Sequence, residues 1–208
     1  MSRRRRAGII IGCVLLAVVL IVLDHGGLHR RLRRQSASQE KTAAYDLQKY
    51  HAGSFVVVHV VDGDTLDIGV RDGQYRHTRI RLWGVDAPEA HSEELGVMYF
   101  GPEAAEFVEK AALQKQVTIY LDEANRTRGR YGRLLAYVQL PGGAFLNELL
   151  IAEGLAYADL RFRHSFYNKY KQLQSVARAR KRGLWKDVTR EQLPDWLKRE
   201  RPKLLREK

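Results

Sequence analysis

Five short β-rich runs, each cut off by turn residues, limit the folds open to the middle of this chain. Phe55-Val56-Val57-Val58-His59-Val60-Val61 is dense in β-branched residues and stops at Asp62-Gly63-Asp64, the pattern of a strand entering a tight turn. Thr65 to Val70 reads as a second strand, Arg71-Asp72-Gly73-Gln74 has hairpin-turn chemistry, and Tyr75 to Val85 reads as a third. Pro88 ends regular structure. Gly101-Pro102-Glu103 opens a helix with proline and an acidic residue in its first turn; Ala105, Val108, Ala111 and Ala112 carry it at helical spacing to about Leu113. Val117 to Leu121 and Leu134 to Leu140 are the fourth and fifth strands. Phe145 to Glu153 is a short helix, and Ser165 to Arg182 a long one capped by Gly183.

Three strands, a helix and two more strands is the order of an OB-like barrel. The expected class is α+β, mainly β: a five-stranded OB-like barrel with three helices, preceded by one N-terminal transmembrane helix. With 208 residues there is room for one domain plus extensions, and 45% apolar with 29% charged residues is ordinary globular composition. A single cysteine, Cys13, excludes an intrachain disulfide and a Cys-based zinc site. The net charge of +12 is uneven. Residues 1–34 and 178–208 each carry +7, which leaves −2 for 35–177. An anion site in the middle must therefore be built from a few placed arginines and not from a diffuse positive field.

Four arginines, Arg3 to Arg6, precede an uncharged apolar run from Ala7 to Leu23. Its seventeen residues would span roughly 25 Å as a helix, short of a hydrocarbon core of about 30 Å that flanking arginines can meet by snorkelling. The run ends in Asp24-His25-Gly26-Gly27 and four more arginines, a poor cleavage site, so it reads as an uncleaved anchor, with a cleaved signal peptide and secretion as the competing reading. The denser basic block ahead of the span favours N-in topology with the domain extracytoplasmic. Cys13 reads as a small apolar residue in this run. The expected organisation is a basic tail over 1–6, a transmembrane anchor over 7–23, a juxtamembrane spacer over 24–51, the barrel domain over 52–186 and a charged, solvated tail over 187–208.

Three segments concentrate chemistry. Asp62-Gly63-Asp64-Thr65, taken alone, is a turn with Asx hydrogen bonding. In Arg79-Ile80-Arg81-Leu82-Trp83-Gly84-Val85-Asp86-Ala87-Pro88-Glu89, Arg79 and Arg81 face one side of a strand, and two carboxylates follow at its end. Arg126 to Arg133 holds four Arg, two Gly and Tyr131, and alone reads as a mobile basic loop. Together they supply carboxylates suited to a hard divalent cation, a further carboxylate able to act as general base, and guanidinium forks able to hold a phosphate. His59, His77, His91 and His164 read as surface or strand residues that this chemistry does not need, although His91 lies near Glu89 and could tune it. Trp83 and Trp185 read as core anchors, and Trp196 stays unassigned.

With those residues in place, the chain resembles the thermonuclease (staphylococcal nuclease-like) family over about residues 54–186. The resemblance rests on Val61-Asp62-Gly63-Asp64-Thr65, Arg81-Leu82 with Val85-Asp86-Ala87-Pro88-Glu89, Tyr99-Phe100-Gly101-Pro102-Glu103-Ala104, Tyr131-Gly132-Arg133-Leu134-Leu135-Ala136-Tyr137, Gly154-Leu155-Ala156 and Gly183-Leu184-Trp185. It implies one Ca²⁺ ion held by Asp64, Asp86 and the backbone carbonyl of Ala87. It also implies Glu89 as general base and Arg81 and Arg133 as catalytic phosphate clamps. The implied reaction is hydrolysis of DNA and/or RNA at the 5′ P–O bond, leaving 3′-phosphate ends. Arg130, Tyr131 and Tyr157 are the expected substrate-binding residues, with Phe162 a further aromatic candidate, and Asp62 is expected to cap the turn that aims Asp64. The sequence departs from the family at Gly129, where relatives often carry an acidic residue, and at Ala87, where they often carry Thr. The partners implied are nucleic acid and, through the anchor, membrane lipid; a monomer is expected. The rival reading is a non-catalytic membrane-tethered OB-fold module that binds single-stranded nucleic acid or protein. A tethered structural protein whose basic ends bind anionic lipid is a second.

Overall fold

β1 (Gly53–Asp62) is long enough to serve two neighbours, and this closes the barrel. Its first half pairs antiparallel with β5 (Gln116–Tyr120), from Gly53 opposite Ile119 to Val56 opposite Gln116. Its second half pairs with β2 (Thr65–Ile68), with register shifts that bend the strand between the two sets of partners. β3 (Thr78–Leu82) pairs with β2, and β6 (Leu134–Gln139) runs parallel to β3 and antiparallel to β5. The order β1-β2-β3-β6-β5 is a closed five-stranded barrel. Val57, Leu66, Ile68, Ile80, Ile119, Leu134 and Val138 fill its interior, none more than 1% exposed. The structure, a computed structural model, describes residues 14, 33, 37–90, 96–202 and 204–205.

The expected third strand is divided in two. β3 stops at Leu82, and β4 (Val85–Asp86) leaves the barrel to pair with β7 (Tyr157–Ala158), Asp86 opposite Tyr157. Trp83 and Gly84 make the corner, and Gly84 has φ of 74°, a left-handed conformation that glycine adopts without penalty. The buried amide of Asn147 pins the corner: its Nδ2 donates to Trp83 O (3.1 Å) and Ala136 O (3.2 Å), and its Oδ1 accepts from Val138 N (3.0 Å). The chain thereby carries Asp86 off the barrel wall.

Around the barrel lie α2 (Gly101–Ala112), α3 (Leu146–Ala152) and α4 (Tyr167–Ala179), the three expected helices. Gly183 does not cap α4, which ends at Ala179; it opens a 3-10 turn, Gly183–Lys186, whose Leu184 N donates to Gly154 O (2.8 Å).

Two further expectations change. The chain divides into two units, 1–44 and 45–208. The expected anchor over 7–23 lies outside the described residues apart from residue 14; among the described residues no helix is long and apolar enough to cross a membrane. The described part of the expected spacer is helical, α1 over 37–50. Within the second unit this is explained by burial: Tyr50 and Asp46 are fully buried, and the Asp46 carboxylate accepts Thr127 Oγ1 (2.7 Å) and Arg128 Nε (2.8 Å). Arg128 also pairs with Asp72, so the basic loop is anchored and not free at that point. The tail, expected to be solvated, carries α5 (Asp195–Glu200) and packs Leu193, Trp196 and Leu197 into a second apolar cluster with Tyr157, Ala177, Leu184 and Trp185.

Candidate active site

Asp64 and Asp86 come from separate strand ends, and Arg81 bridges them. Arg81 Nη1 pairs with Asp64 Oδ2, and Nη2 donates to Asp86 Oδ1 at 2.8 Å. The register sets this up, because Thr65 opposite Arg81 on β2 puts the Asp64 turn beside the arginine's Cα. Asp62 Oδ1 accepts the Asp64 amide at 2.9 Å, closing the Asx turn that aims Asp64. Asp64 Oδ1 then takes the Thr65 hydroxyl at 3.0 Å, and Oδ2 the Ala87 amide at 2.8 Å. The six residues form one contiguous network.

Glu89 stands beyond Pro88 at an exposed position in a cleft of about 470 Å³ that Asp86, Ala87 and Tyr157 also line. Partial dehydration raises its pKa above the ordinary glutamate value, and Asp62 and Asp86 add to the shift against Arg81 and Arg133. Its backbone is held closely. Met98 N donates to Glu89 O at 3.0 Å, and a side chain at Gly101 would place Cβ 2.3 Å from that same oxygen. Burial likewise raises the Asp62 pKa, opposed by Arg81, and lowers that of Arg81, opposed by Asp86 and Asp62.

Arg133 joins the network through Thr65, whose hydroxyl accepts from Arg133 Nη1 at 3.4 Å. It lines a second depression of about 880 Å³ together with Tyr131, Arg76 and Arg79. Tyr131 is 77% exposed, with the Arg130 and Arg133 guanidiniums 5.8 and 5.7 Å from its ring. Tyr157 differs from Tyr131: at 2% exposure its ring is edge-on to Trp185, 5.4 Å away, so it forms cleft wall and offers no open face for stacking. Phe162 is 42% exposed, stacked on Trp83 at 6.1 Å and flanked by Arg126 and Arg161. Arg79, on the same side as Arg81, is taken up by Asp67 through two hydrogen bonds of 2.8 and 3.0 Å.

Of the histidines, His59 and His77 are exposed as expected, and His91 lies outside the described residues. His164 corrects the expectation: it is 7% exposed, and its Nδ1 accepts the Phe166 amide at 3.2 Å. Sequence reading also missed Trp196. Its indole Nε1 donates to Asp86 Oδ2 at 2.7 Å, and Arg161 approaches Asp86 Oδ1 to 3.6 Å. A tryptophan isolated in a charged tail was the available signal.

The donors around Asp64 and Asp86 are all oxygens, which suits Ca²⁺ and not zinc or copper. Among the described residues no cluster of three or more Asp, Glu, His or Cys could hold a metal ion, so a cation here would draw on two carboxylates, backbone carbonyl and water. Charge fits too: Asp62, Asp64, Asp86 and Glu89 face Arg81 and Arg133, a formal excess of two negative charges.

Comparison with known proteins places the chain among relatives. The family model described as Staphylococcal nuclease homologue matches residues 79–187, just over half of the chain. A thermonuclease of Staphylococcus hyicus is 34% identical over 133 residues, 64% of this chain and 75% of the relative. A thermonuclease of Staphylococcus intermedius is 36% identical over 139 residues, 64% and 76% of the two chains. An uncharacterized endonuclease of Escherichia coli O157:H7 is 32% identical over 151 residues, 70% of this chain and 84% of the relative. With the barrel, the bridged carboxylates and these similarities together, the chain belongs to the staphylococcal nuclease homologue family.

Proposed function

We propose that this nuclease hydrolyses phosphodiester bonds of DNA and/or RNA at the 5′ P–O bond, with one Ca²⁺ at Asp64, Asp86 and the Ala87 carbonyl. The observation that carries the reading is Arg81 tied to both aspartates, with Glu89 lining the same cleft as Asp86. Arg81 and Arg133 hold the non-bridging oxygens of the phosphate; Arg81 has five N–H donors, and the two carboxylates do not use all of them. Glu89 accepts a proton from the attacking water as the new P–O bond forms. The bond to the 5′ oxygen breaks in line, Arg133 stabilises the charge on that oxygen, and solvent supplies its proton. The cation, when bound, lowers the cost of charge gathering on the phosphate. Tyr131 and Arg130, both exposed, give a stacking face and a phosphate contact beside Arg133. Tyr157 serves as wall.

The test is cleavage of single-stranded DNA by the purified protein with Ca²⁺ or with chelator, beside Glu89→Gln. Chelator is expected to abolish cleavage, and the substitution to lower the rate by about 10²–10⁴-fold. Product ends should carry 3′-phosphate, read as resistance to 3′ extension until phosphatase is added. Tight binding without cleavage in any divalent metal would overturn the reading in favour of a binding module.

For the N-terminal segment, the arginine-flanked apolar run supports a single-pass anchor with the nuclease domain extracytoplasmic. Protease added to intact cells should then digest the domain, while its protection would place it inside.

A further inference from the structure

Trp196 lies beyond the stretch matched to the family, residues 79–187, yet it touches the site. Its indole is 6% exposed, held in the apolar cluster with Leu193 and Leu197, and the Arg161 guanidinium lies 4.6 Å over its ring. Arg161 is itself fixed by Asp159, through Nε and Nη2 at 2.8 Å each. From this rigid seat Nε1 donates to Asp86 Oδ2 at 2.7 Å, while Oδ1 takes Arg81 at 2.8 Å. Each oxygen of Asp86 therefore has one hydrogen bond that sets the plane of the carboxylate, with Arg161 Nη2 a further 3.6 Å from Oδ1.

We propose that Trp196 is a positioning residue for Asp86, orienting its carboxylate to ligate a divalent cation and so making the segment 187–202 part of the active centre. This rests on the calcium reading given above. An indole N–H is suited to the task. It is a donor only, and it is neutral, so it restricts the carboxylate without cancelling the charge that attracts a cation. Hydrogen bonds to a ligand's outer side typically contribute about 10–100-fold in metal affinity. The same segment supplies Glu191, Asp195 and Lys198 to the rim of the cleft that holds Glu89, so its docking also shapes the approach to the site.

The experiment measures Ca²⁺ binding by calorimetry on the full chain, on Trp196→Phe and on Trp185→Phe. Trp185 sits in the same cluster, but its Nε1 has no hydrogen-bond partner, so its replacement reports packing alone. Trp196→Phe is expected to weaken Ca²⁺ binding by about 10–100-fold, and Trp185→Phe to leave it at the wild-type value. In the unmodified chain the Trp196 indole N–H resonance should move on Ca²⁺ addition while that of Trp185 stays, a readout that needs no variant. Unchanged affinity in Trp196→Phe, or an unmoved Trp196 resonance, overturns the proposal. Tighter binding in Trp196→Phe also overturns it and makes the segment a competitor of the cation. If the wild-type chain binds no Ca²⁺, the calcium reading fails and the proposal with it.

Discussion

At the scale of single residues, Gly63 is held more tightly than its turn sequence suggests. A Cβ there would lie 2.6 Å from Ala104 Cβ on α2 and 2.8 Å from Ala87 Cβ. Both are the first atoms of their side chains and cannot swing aside, so either backbone must move. Gly63→Ala should therefore cost about 1–3 kcal/mol of stability through overpacking, read as a lower urea midpoint. It should also lower activity, because the displaced elements carry Asp64 and Ala87. Asp62 and Asp64 were legible as a turn from the sequence alone. The reason the intervening residue must be glycine was not, since Ala104 and Ala87 are 41 and 24 positions away and meet it only in the folded barrel. Arg81 divides in the same way: its strand position follows from alternation, its double grip on Asp64 and Asp86 does not.

At the scale of elements, the segment between β7 and α4 holds a buried histidine, His164, that from the sequence reads as a surface or strand residue. His164 Nδ1 accepts the Phe166 amide and lies 3.2 Å from the Tyr137 hydroxyl, which donates to Asp122 Oδ2 at 2.9 Å. Burial lowers the His164 pKa, with Asp122 and Asp159 opposing. The folded state therefore favours the neutral ring. Its contribution to stability is complete above the unfolded value of about 6.5 and is lost as pH falls through the lower folded value, because the unfolded chain binds the proton first. The urea midpoint should fall between pH 7.5 and pH 5, and His164→Asn should shrink that difference while keeping an acceptor for Phe166. The barrel strands and the helices α2 to α4 were readable to within a few residues; α1 and α5 were not, because their stretches read as spacer and solvated tail, and the third strand proved to be divided. The stretch from Tyr75 to Val85 read as one strand, but β3 and β4 separate at Gly84 because Asn147, distant in sequence, ties Trp83 to β6.

At the scale of the whole molecule, the C-terminal segment is structural. Leu193, Trp196 and Leu197 are each no more than 6% exposed. At about 1.5–3 kcal/mol for burying each large apolar side chain, a chain ending at Asp187 should lose on the order of 4–9 kcal/mol, an amount visible as a lower denaturation midpoint. It should also lose nuclease activity more steeply than stability, because the Trp196 donor to Asp86 departs with it. Local order in the chain was sufficient for the barrel, its strand sequence and the helix start at Gly101-Pro102. All of these depend on side-chain alternation, turn chemistry and the types of neighbouring residues. Only the tertiary structure decided that the charged tail folds back onto Asp86, that Tyr157 is wall while Tyr131 is open, and that Arg81 spans two carboxylates. Those outcomes depend on contacts across 17 positions between Arg81 and Asp64, 28 between Tyr157 and Trp185 and 110 between Asp86 and Trp196, and no local pattern encodes which distant surfaces will be buried against each other.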